Sequence, residues 1–491
     1  MGKGVKDSAG FYRLNTPGVD VEARLRFDRG TLVLEGSPLL PADCEPFFHY
    51  DPRVDAYRAP AYCYPRIISA LKTSLARNQA PRYQRHQFIS DLPVEPYPHQ
   101  QEALRCWQAA RGQGVVVLPT GAGKTLVGVL ALCWAGRDGL ILVPTLDLMH
   151  QWYALMRLAF PQQDIGLVGG GYHEITPLTI ATYDSASRHM ERLGNRFGVL
   201  IFDEVHHLPS EFYRSIAEDS LAPYRLGLTA TLERSDGKHE DLVELIGATV
   251  YQKHPEELAG NVLAAFQIRP VLVELSQEER NTYQGALDER NLFLHSQRIG
   301  LGSLQGWNRF VMCSARTAEG RRAMQAHQLA RRIALATPAK LRALEDILAK
   351  HPGEKTVIFT EDNTTAYEVS QRFLIPCLTH QTQVKERQAM LEAFKSSTYK
   401  ALVTSKVLNE GVDVPDASIG VILSGSGSAR EFIQRLGRIL RRGEGKQAIL
   451  YELVSRETRE ERTSERRRQT LRADTTVGTT LPLFPQAENA G

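Results

Sequence analysis

Short apolar runs alternate with helix-like stretches along most of this chain. Five such runs stand at 115–118, 140–143, 178–181, 199–202 and 224–228, and four more follow at 356–359, 401–404, 420–423 and 448–453. Continuous apolar strands separated by helices are typical of parallel sheets that are covered on both faces. We therefore predict an α/β fold with two parallel-sheet domains.

The segments around these two domains have different patterns. Residues 24–36 alternate apolar and polar positions around an Asp-Arg-Gly turn, which predicts a β-hairpin in a small N-terminal domain. Residues 276–335 carry nine arginines against five acidic residues, and Phe293, Trp307 and Phe310 are interleaved among them. This stretch fits a solvated helical linker and a nucleic-acid contact equally well. The basic run at 456–472 is expected to be a solvated tail.

These changes of pattern divide the chain into five segments. The predicted segments are an N-terminal domain (1–88), a first sheet domain (89–265), an insertion with a linker (266–335), a second sheet domain (336–458) and a basic, then polar, C-terminal tail (459–491).

Composition changes this picture little. The 491 residues carry a net charge of +3, so overall charge neither requires nor excludes a nucleic-acid partner. The six cysteines are widely spaced, which indicates reduced thiols, and no structural metal is expected. No apolar run approaches the roughly 20 residues that a membrane span needs, so we expect a cytoplasmic protein without a membrane partner.

The clearest chemical motif is LPTGAGKT at 118–125, which stands between an apolar run and an apolar helix-like segment. Its loop consists of Pro119, Thr120, Gly121, Ala122, Gly123, Lys124 and Thr125. The two glycines let backbone amides wrap a phosphate, Lys124 can reach the β- and γ-phosphates of ATP, and the Thr125 hydroxyl can bind Mg²⁺. This segment predicts a P-loop, although Leu118 stands where the strict motif has glycine.

Two further motifs follow apolar runs of the same domain. Asp203 and Glu204 follow the run at 199–202, where Asp203 can hold Mg²⁺ through water and Glu204 can act as general base toward the attacking water. His206 either couples the nucleotide to the next motif or simply packs, and both interpretations stay open. Thr229 and Thr231 can hydrogen-bond between the Glu204 region and a bound strand.

The second sheet domain offers arginines and small hydrogen-bond donors. Gln434, Arg438 and Arg441 share one face of a predicted helix. They are either arginine fingers for a nucleotide held by the first domain or a basic surface, and the P-loop favours the first interpretation.

Three further polar residues of this domain are candidate contacts. Thr404 and Ser405 are donors suited to a sugar-phosphate backbone, and Asp413 can accept a hydrogen bond from a ribose hydroxyl.

In this order, TGAGKT, DEVH, TAT and QRLGRILR resemble the motifs of superfamily-two helicases. DEVHHLP together with GSGSAREFIQRLGRILR resembles the XPB helicase family in its archaeal and bacterial form, and the similarity runs from about residue 24 to 470. The resemblance implies two RecA-like domains, a damage-recognition N-terminal domain and a thumb-like insertion. It also implies that Gln100 reads the adenine of ATP and that Thr145, within VPTLDLMHQW, helps to grip the tracking strand.

The same resemblance implies an ATP- and Mg²⁺-dependent helicase that acts on duplex, forked or single-stranded DNA in repair, with a nuclease as a protein partner. The family's Arg-Glu-Asp motif corresponds here to Arg234, Ser235 and Asp236. Because a hydroxyl replaces a carboxylate at Ser235, we expect weak or partner-dependent strand separation. A duplex DNA translocase, an RNA helicase and a non-catalytic binding module stay open as alternatives.

Overall fold

The computed structural model describes eleven stretches of the chain. They are 5–6, 11–13, 24–35, 39–41, 45–71, 75, 77–232, 240–258, 265–405, 417–424 and 447–472. Contacts between residues divide the chain into two units, Met1–Leu258 and Ala259–Gly491.

The first unit begins with a small, mostly antiparallel region. Its elements are β1 (Val5–Lys6), β2 (Phe11–Arg13), β3 (Arg24–Asp28), β4 (Thr31–Glu35), β5 (Leu39–Pro41), β6 (His49–Asp51), β7 (Ala56–Pro60), α1 (Tyr64–Leu71) and β8 (Arg77–Asn78). The predicted hairpin is confirmed, because β3 pairs antiparallel with β4. Its turn residues Arg29 and Gly30 have φ values of 46° and 81°, and positive φ at both positions suits a tight two-residue hairpin turn.

The rest of the first unit is an eight-stranded sheet with helices on its faces. Its elements are α2 (Pro98–Ala109), β9 (Gln113–Val117), α3 (Lys124–Ala135), β10 (Gly139–Val143), α4 (Leu146–Ala159), β11 (Ile165–Gly169), β12 (Tyr172–His173), β13 (Leu178–Thr182), α5 (Tyr183–Leu193), β14 (Val199–Asp203), α6 (Arg214–Glu218), β15 (Tyr224–Thr229), α7 (Asp241–Leu245), β16 (Thr249–Gln252) and α8 (Pro255–Leu258).

The strand order of this sheet is β12-β11-β13-β10-β14-β15-β9-β16, and every pair except β11–β12 is parallel. All five predicted apolar runs form strands here. Strands β10, β11, β13 and β14 are buried at every position, as expected for a sheet covered on both faces. The consequence for function is that β14, β15 and β9 are neighbours, so their carboxyl ends meet at one edge.

The second unit contains a six-stranded parallel sheet and several long helices. Its elements are β17 (Ala265–Val273), α9 (Gln277–Ser296), α10 (Leu304–Arg316), α11 (Ala318–Leu335), α12 (Pro338–Lys350), β18 (Thr356–Phe359), α13 (Asn363–Phe373), β19 (Cys377–Leu378), α14 (Val384–Lys395), β20 (Ala401–Thr404), β21 (Ile419–Ile422), β22 (Gln447–Ser455) and α15 (Arg459–Arg472). The strand order is β17-β22-β21-β18-β20-β19, and the four predicted runs form β18, β20, β21 and β22.

Two segments differ from their predicted assignment. Residues 265–273 form the edge strand β17, paired with β22, rather than part of the insertion predicted at 266–335. Pro270 lacks an amide hydrogen, which an edge strand tolerates and which hid this strand in the sequence pattern. Residues 459–472 form helix α15 rather than a solvated tail, because Glu460 and Ser464 are buried against the sheet domain.

The helices α9, α10 and α11 form the body of the insertion. Helix α9 begins with a capping box in which the Ser276 hydroxyl accepts from the Glu279 amide and the Glu279 carboxylate accepts from the Ser276 amide. Two of the aromatic residues that suggested a nucleic-acid contact, Phe293 and Phe310, are buried in the core of these helices. Only Trp307 is partly exposed, at 37% of its surface, so most of the aromatic content serves packing.

Candidate active site

The P-loop connects strand β9 to helix α3. Helix α3 begins at Lys124, directly after Gly123, and Gly121 and Gly123 have φ values of 87° and 78°. A Cβ atom at Gly123 would lie 2.1 Å from Nε2 of Gln100, so only glycine fits there. The Lys124 ammonium donates to the carbonyl oxygen of Leu118 at 3.1 Å, at the start of the same loop. The result is a helix N-terminus with a glycine turn, a geometry that favours anions.

Two side chains of helix α2 support this loop from outside. Gln100 Nε2 donates to the carbonyl oxygens of Ala122 at 3.0 Å and Gly123 at 3.3 Å, and Gln100 Oε1 accepts from the amide of Tyr97 at 2.8 Å. His99 Nε2 lies 2.8 Å from the Ala122 carbonyl oxygen, and both side chains are buried. Gln100 thus contacts the loop itself, while its role toward adenine stays a prediction. The sequence reasoning missed His99, whose adjacency to Gln100 was the available signal.

The carboxylate of Asp203 stands at the end of strand β14 in a fixed orientation. Its Oδ2 accepts from the indole nitrogen of Trp152 at 2.8 Å, and its Oδ1 accepts from the Glu204 amide at 3.0 Å. Burial raises the pKa of Asp203, while the Trp152 hydrogen bond and the positive charge of Lys124 oppose that rise. Trp152 comes from helix α4 and was not predicted as a site residue, although it ends the VPTLDLMHQW segment.

Glu204 occupies a left-handed backbone conformation, with φ of 49° and ψ of 52°. Such a conformation is uncommon for a residue other than glycine and is found preferentially at functional sites. It ends strand β14 abruptly, so that a short 3₁₀ turn at Val205–His207 follows at once.

His206 connects the acidic pair to the threonine motif. Its Nδ1 lies 3.4 Å from Oε2 of Glu204 and 3.1 Å from Oγ1 of Thr229, and the ring is fully buried. The Thr229 hydroxyl in turn donates to the carbonyl oxygen of Thr231 at 2.7 Å. The ring therefore touches both motifs, as the coupling interpretation requires, and its role in coupling stays a prediction.

Two threonines cap helices at the same edge of the sheet. The Thr145 hydroxyl accepts from the Leu148 amide at the start of α4, and the Thr182 hydroxyl accepts from the Ser185 amide at the start of α5. Val143 and Thr182 are paired on the neighbouring strands β10 and β13, so the two helix N-termini lie side by side. Adjacent helix N-termini suit successive phosphates of a nucleic-acid strand.

The predicted residues of the second sheet domain have a mixed outcome. Thr404 is the last residue of β20 and Ser405 follows it. Both are buried, and the Thr404 hydroxyl donates to the Ser405 carbonyl oxygen at 3.0 Å. Asp413, Gln434, Arg438 and Arg441 lie outside the described residues, as do Arg234, Ser235 and Asp236. Their roles stay predictions.

Within the described stretches, no group of three His, Cys, Asp or Glu side chains is arranged to hold a metal ion. In the same stretches, no helix has the length and apolar character that a membrane span requires.

Three family models match the chain. They are "Type III restriction enzyme, res subunit" over 93–234, "Helicase conserved C-terminal domain" over 339–443 and "Xeroderma pigmentosum group B helicase damage recognition domain" over 25–77. Among solved structures, the helicase domain of Pyrococcus furiosus Hef has a TM-score of 0.53 at 18% identity, covering 77% of this chain and 99% of that chain. The Saccharomyces cerevisiae protein Dbp5 has a TM-score of 0.53 at 15% identity, covering 78% of this chain and 89% of that chain.

These likenesses and the P-loop geometry define the class: the chain is a superfamily-two helicase with two RecA-like domains. The archaeal DNA 3′–5′ translocase XPB2 of Sulfurisphaera tokodaii is 43% identical over 77% of this chain and 85% of its own length. The DNA 3′–5′ helicases XPB of Kineococcus radiotolerans and Mycobacterium tuberculosis are each 34% identical, and the chain spans 60% and 59% of their lengths. The chain therefore belongs to the XPB family and is an ATP-driven DNA helicase.

Proposed function

We propose that this protein couples ATP hydrolysis in its first sheet domain to 3′–5′ movement along DNA, in DNA repair. The observation that carries the proposal is the meeting of three motifs at one sheet edge. The P-loop follows β9, the TAT motif follows β15 and the acidic pair follows β14, and these strands are consecutive neighbours. The direction of movement follows the names of the similar archaeal and bacterial proteins.

The roles proposed in the ATP site follow from position and chemistry. The backbone N–H groups of Thr120, Gly121, Ala122 and Gly123 surround the phosphates, in a loop that begins at Pro119, which has no N–H to donate. Gln100 holds the loop from behind while reading the adenine. Lys124 neutralises the β- and γ-phosphates. Mg²⁺, when bound by Thr125 and Asp203, supplies charge stabilisation to the phosphates. Asp203 fits this role, because both of its oxygens are oriented by hydrogen bonds at the strand end.

Glu204 is the proposed general base. Its carboxylate orients the attacking water and accepts its proton as the water oxygen bonds to the γ-phosphorus, while the bond from that phosphorus to the bridging oxygen breaks and ADP leaves. From the second sheet domain, Gln434, Arg438 and Arg441 stabilise the developing charge, and Asp413 accepts from the ribose. Hydrolysis then depends on closure of the two sheet domains, which links chemistry to movement.

The proposed DNA contacts are mainly with the sugar-phosphate backbone. Thr145 belongs to the paired helix N-termini at the edge of the first sheet, and Thr404 and Ser405 lie at the carboxyl end of β20 in the second. The presence or absence of the γ-phosphate is communicated from the ATP site to these DNA contacts by His206, Thr229 and Thr231. Strand separation involves Arg234 and Asp236. Such contacts are sequence-independent, so binding should weaken steeply with salt.

The domain division that we propose has a damage-recognition domain to about residue 88, a first sheet domain, the thumb-like helices α9 to α11, and a second sheet domain that includes β17 and α15. The match to the damage-recognition model over 25–77 supports a role of the N-terminal domain in contacting damaged DNA. A nuclease partner is part of the proposal and is supported by the family resemblance alone.

The central experiment measures ATP hydrolysis with single-stranded, duplex and forked DNA and with RNA. We expect DNA to stimulate hydrolysis and Glu204→Gln to lower it by about 10²- to 10⁴-fold, because a positioned general base contributes that much. Glu174→Gln is the matched control, since Glu174 is an exposed glutamate of the same domain. Equal hydrolysis with and without every nucleic acid, or full activity of Glu204→Gln, would contradict the proposal.

A second candidate is a duplex translocase with weak unwinding, and one observation favours it. Ser235 replaces the carboxylate of the family's Arg-Glu-Asp motif. If this residue limits strand separation, Ser235→Glu should raise strand displacement at unchanged ATP hydrolysis. Displacement that is already strong in the native chain, and unaffected by Ser235→Glu, would leave the helicase as the better description.

A further inference from the structure

The second unit contains a cavity of about 250 Å³ beneath the insertion helices. Helices α9 and α11 contribute Tyr283, Arg290, His327 and Arg331 to its lining. Glu361, two residues after β18, and Arg459, at the start of α15, close it from the sheet side. The cavity thus lies at the carboxyl ends of β18 and β22, the edge where open α/β sheets bind ligands.

The most unusual residue of this lining is Arg290. Its side chain is 3% exposed, and its Nε and Nη2 donate only to the amide oxygen of Asn291, at 3.2 and 2.7 Å. Among the described residues no carboxylate forms an ion pair with Arg290. A buried guanidinium without a negative partner is unfavourable, so a ligand that supplies negative charge would be stabilised here.

The carboxylates of the cavity are already engaged with other cations. Glu361 Oε1 lies 3.3 Å from Nη2 of Arg331. Glu460 Oε2 accepts from Nζ of Lys340 at 2.6 Å and from the amide of Ser455 at 2.9 Å. In the described part of the chain Arg459 also has no ion pair, so Arg290 and Arg459 leave the cavity with an excess of positive charge.

The side chain of His327 is also affected by the positive charge of the cavity. Burial, followed by the charges of Arg290, Arg459 and Arg331, lowers the pKa of His327 to about 4. The ring is therefore neutral at neutral pH, and it packs against Trp307 in a tilted arrangement, with 5.2 Å between the ring centroids and 50° between the ring planes. Its Nδ1 has no hydrogen-bond partner within the described residues and can serve as one more donor in the cavity.

We propose that this cavity is a binding site for a single phosphate group. Its volume of about 250 Å³ has room for a tetrahedral anion and lies just below the roughly 300 Å³ at which typical sites for whole small-molecule ligands begin. The planar fork of a guanidinium matches two phosphate oxygens at once, which favours phosphate over a monatomic anion. A phosphodiester of DNA and free inorganic phosphate both carry this group, and only the first source rests on the proposed function.

The test uses the full chain with Lys124→Ala as background, so that the P-loop does not contribute to phosphate binding. Arg290→Gln and Arg459→Gln are the test variants, and Arg321→Gln, an exposed arginine of α11, is the matched control. Inorganic phosphate is titrated against chloride at equal ionic strength, with thermal unfolding and ³¹P NMR as readouts. We expect phosphate to raise the Tm of the background and of the control, and each test variant to bind it about tenfold more weakly.

A second arm measures oligonucleotide DNA binding by the same variants at several salt concentrations. If DNA is the source of the phosphate, Arg290→Gln and Arg459→Gln each weaken DNA binding. Each also reduces the steepness of log K against log salt by about one, the change expected for one lost phosphate contact, and the control variant changes neither quantity. If free phosphate is the source, only the phosphate titration changes.

Unchanged phosphate and DNA binding in both test variants would overturn the proposal. If Arg290→Gln fails to fold, the exposed Arg459→Gln decides alone. Without phosphate, Arg290→Gln should be at least as stable as the background, because it removes a buried unpaired charge. A chain that binds no DNA at all would remove the proposed function, while the phosphate titration would still decide the nature of the cavity.

Discussion

The carboxyl edges of the two parallel sheets present opposite chemistry. The first edge carries Asp203 and Glu204 beside a glycine turn, and its acidic groups are held by Trp152 and His206. The second edge carries the buried pair Lys340–Glu460 and a cavity with excess arginine. Both edges arise from the same topology, so the fold determines only where a site can form. The side chains at each edge determine whether the site suits chemistry or contributes to stability and charge.

The largest effect that tests this comparison is expected at Lys340, whose charge we expect to stabilise the folded second unit. Lys340→Met breaks the buried Lys340–Glu460 ion pair by removing the ammonium, which should lower the free energy of unfolding of the second unit by about 3–5 kcal/mol. The double variant Lys340→Met/Glu460→Gln should recover much of this loss, because it removes both charges and keeps an acceptor for the Ser455 amide. Thermal unfolding checks both, with exposed Lys350→Met of the same helix as control. A stable single variant would show that the pair is dispensable.

The next test concerns the orientation of Asp203 at the first edge. The Trp152 indole hydrogen bond lowers the pKa of Asp203, so Trp152→Phe should raise it further above its usual value. The acid limb of the pH profile of kcat/KM for ATP should then move to higher pH. Trp134→Phe, on the neighbouring helix α3 and away from Asp203, is the control. An unmoved acid limb would mean that Asp203 does not govern it.

A smaller effect is expected from the link between motifs. Thr229→Val removes the hydroxyl that contacts His206 while retaining a similar shape. Basal ATP hydrolysis should persist, while its stimulation by DNA should fall about tenfold, which corresponds to the loss of about one good hydrogen bond. Thr179→Val, another buried strand threonine of the same sheet, controls for lost stability. If the basal and the DNA-stimulated rates of ATP hydrolysis fell by the same factor, Thr229 would instead have a structural role in folding.

The smallest expected effect lies away from both edges, at Asp219 beside the β3–β4 turn. Burial, with Glu218 and Glu191, raises the pKa of Asp219 to about 6 in the folded chain. Because the unfolded value is about 3.9, folding stability is highest below that pH and falls as pH rises through about 6. Asp219→Asn should therefore raise Tm by about 2 °C at neutral pH, with no gain in acid. Exposed Asp164→Asn is the control, and a gain that persists in acid would contradict this cause.

The sequence pattern was sufficient for the elements that depend on local rules. Apolar runs predicted the buried parallel strands, and the turn at Arg29–Gly30 predicted the hairpin, because each of these signals lies within a few residues of the chain. The edge strand β17 escaped detection because Pro270 interrupts its apolar pattern. Helix α15 escaped because a charge-rich segment gives no sign that Glu460 will be buried by a distant lysine.

The candidate site divides in the same way. The P-loop and the acidic pair are contiguous motifs, so their spacing alone predicted them. The Trp152–Asp203 and Lys340–Glu460 contacts join residues 51 and 120 positions apart, and only the folded chain brings them together. The cavity around Arg290 is a harder case still, because its character comes from the balance of several charges rather than from any motif.

The position of His206 has one further consequence. A single ring nitrogen, Nδ1, stands within 3.1 Å of Thr229 Oγ1 and 3.4 Å of Glu204 Oε2. One N–H points well at one oxygen at a time, and the Thr229 hydroxyl already gives its own hydrogen to Thr231. We therefore expect Nδ1, where it carries the ring proton, to donate to either Thr229 or Glu204 but not to both at once. The threonine motif and the acidic pair would then compete for a single hydrogen bond, and an exchange between them would need no large movement of the backbone.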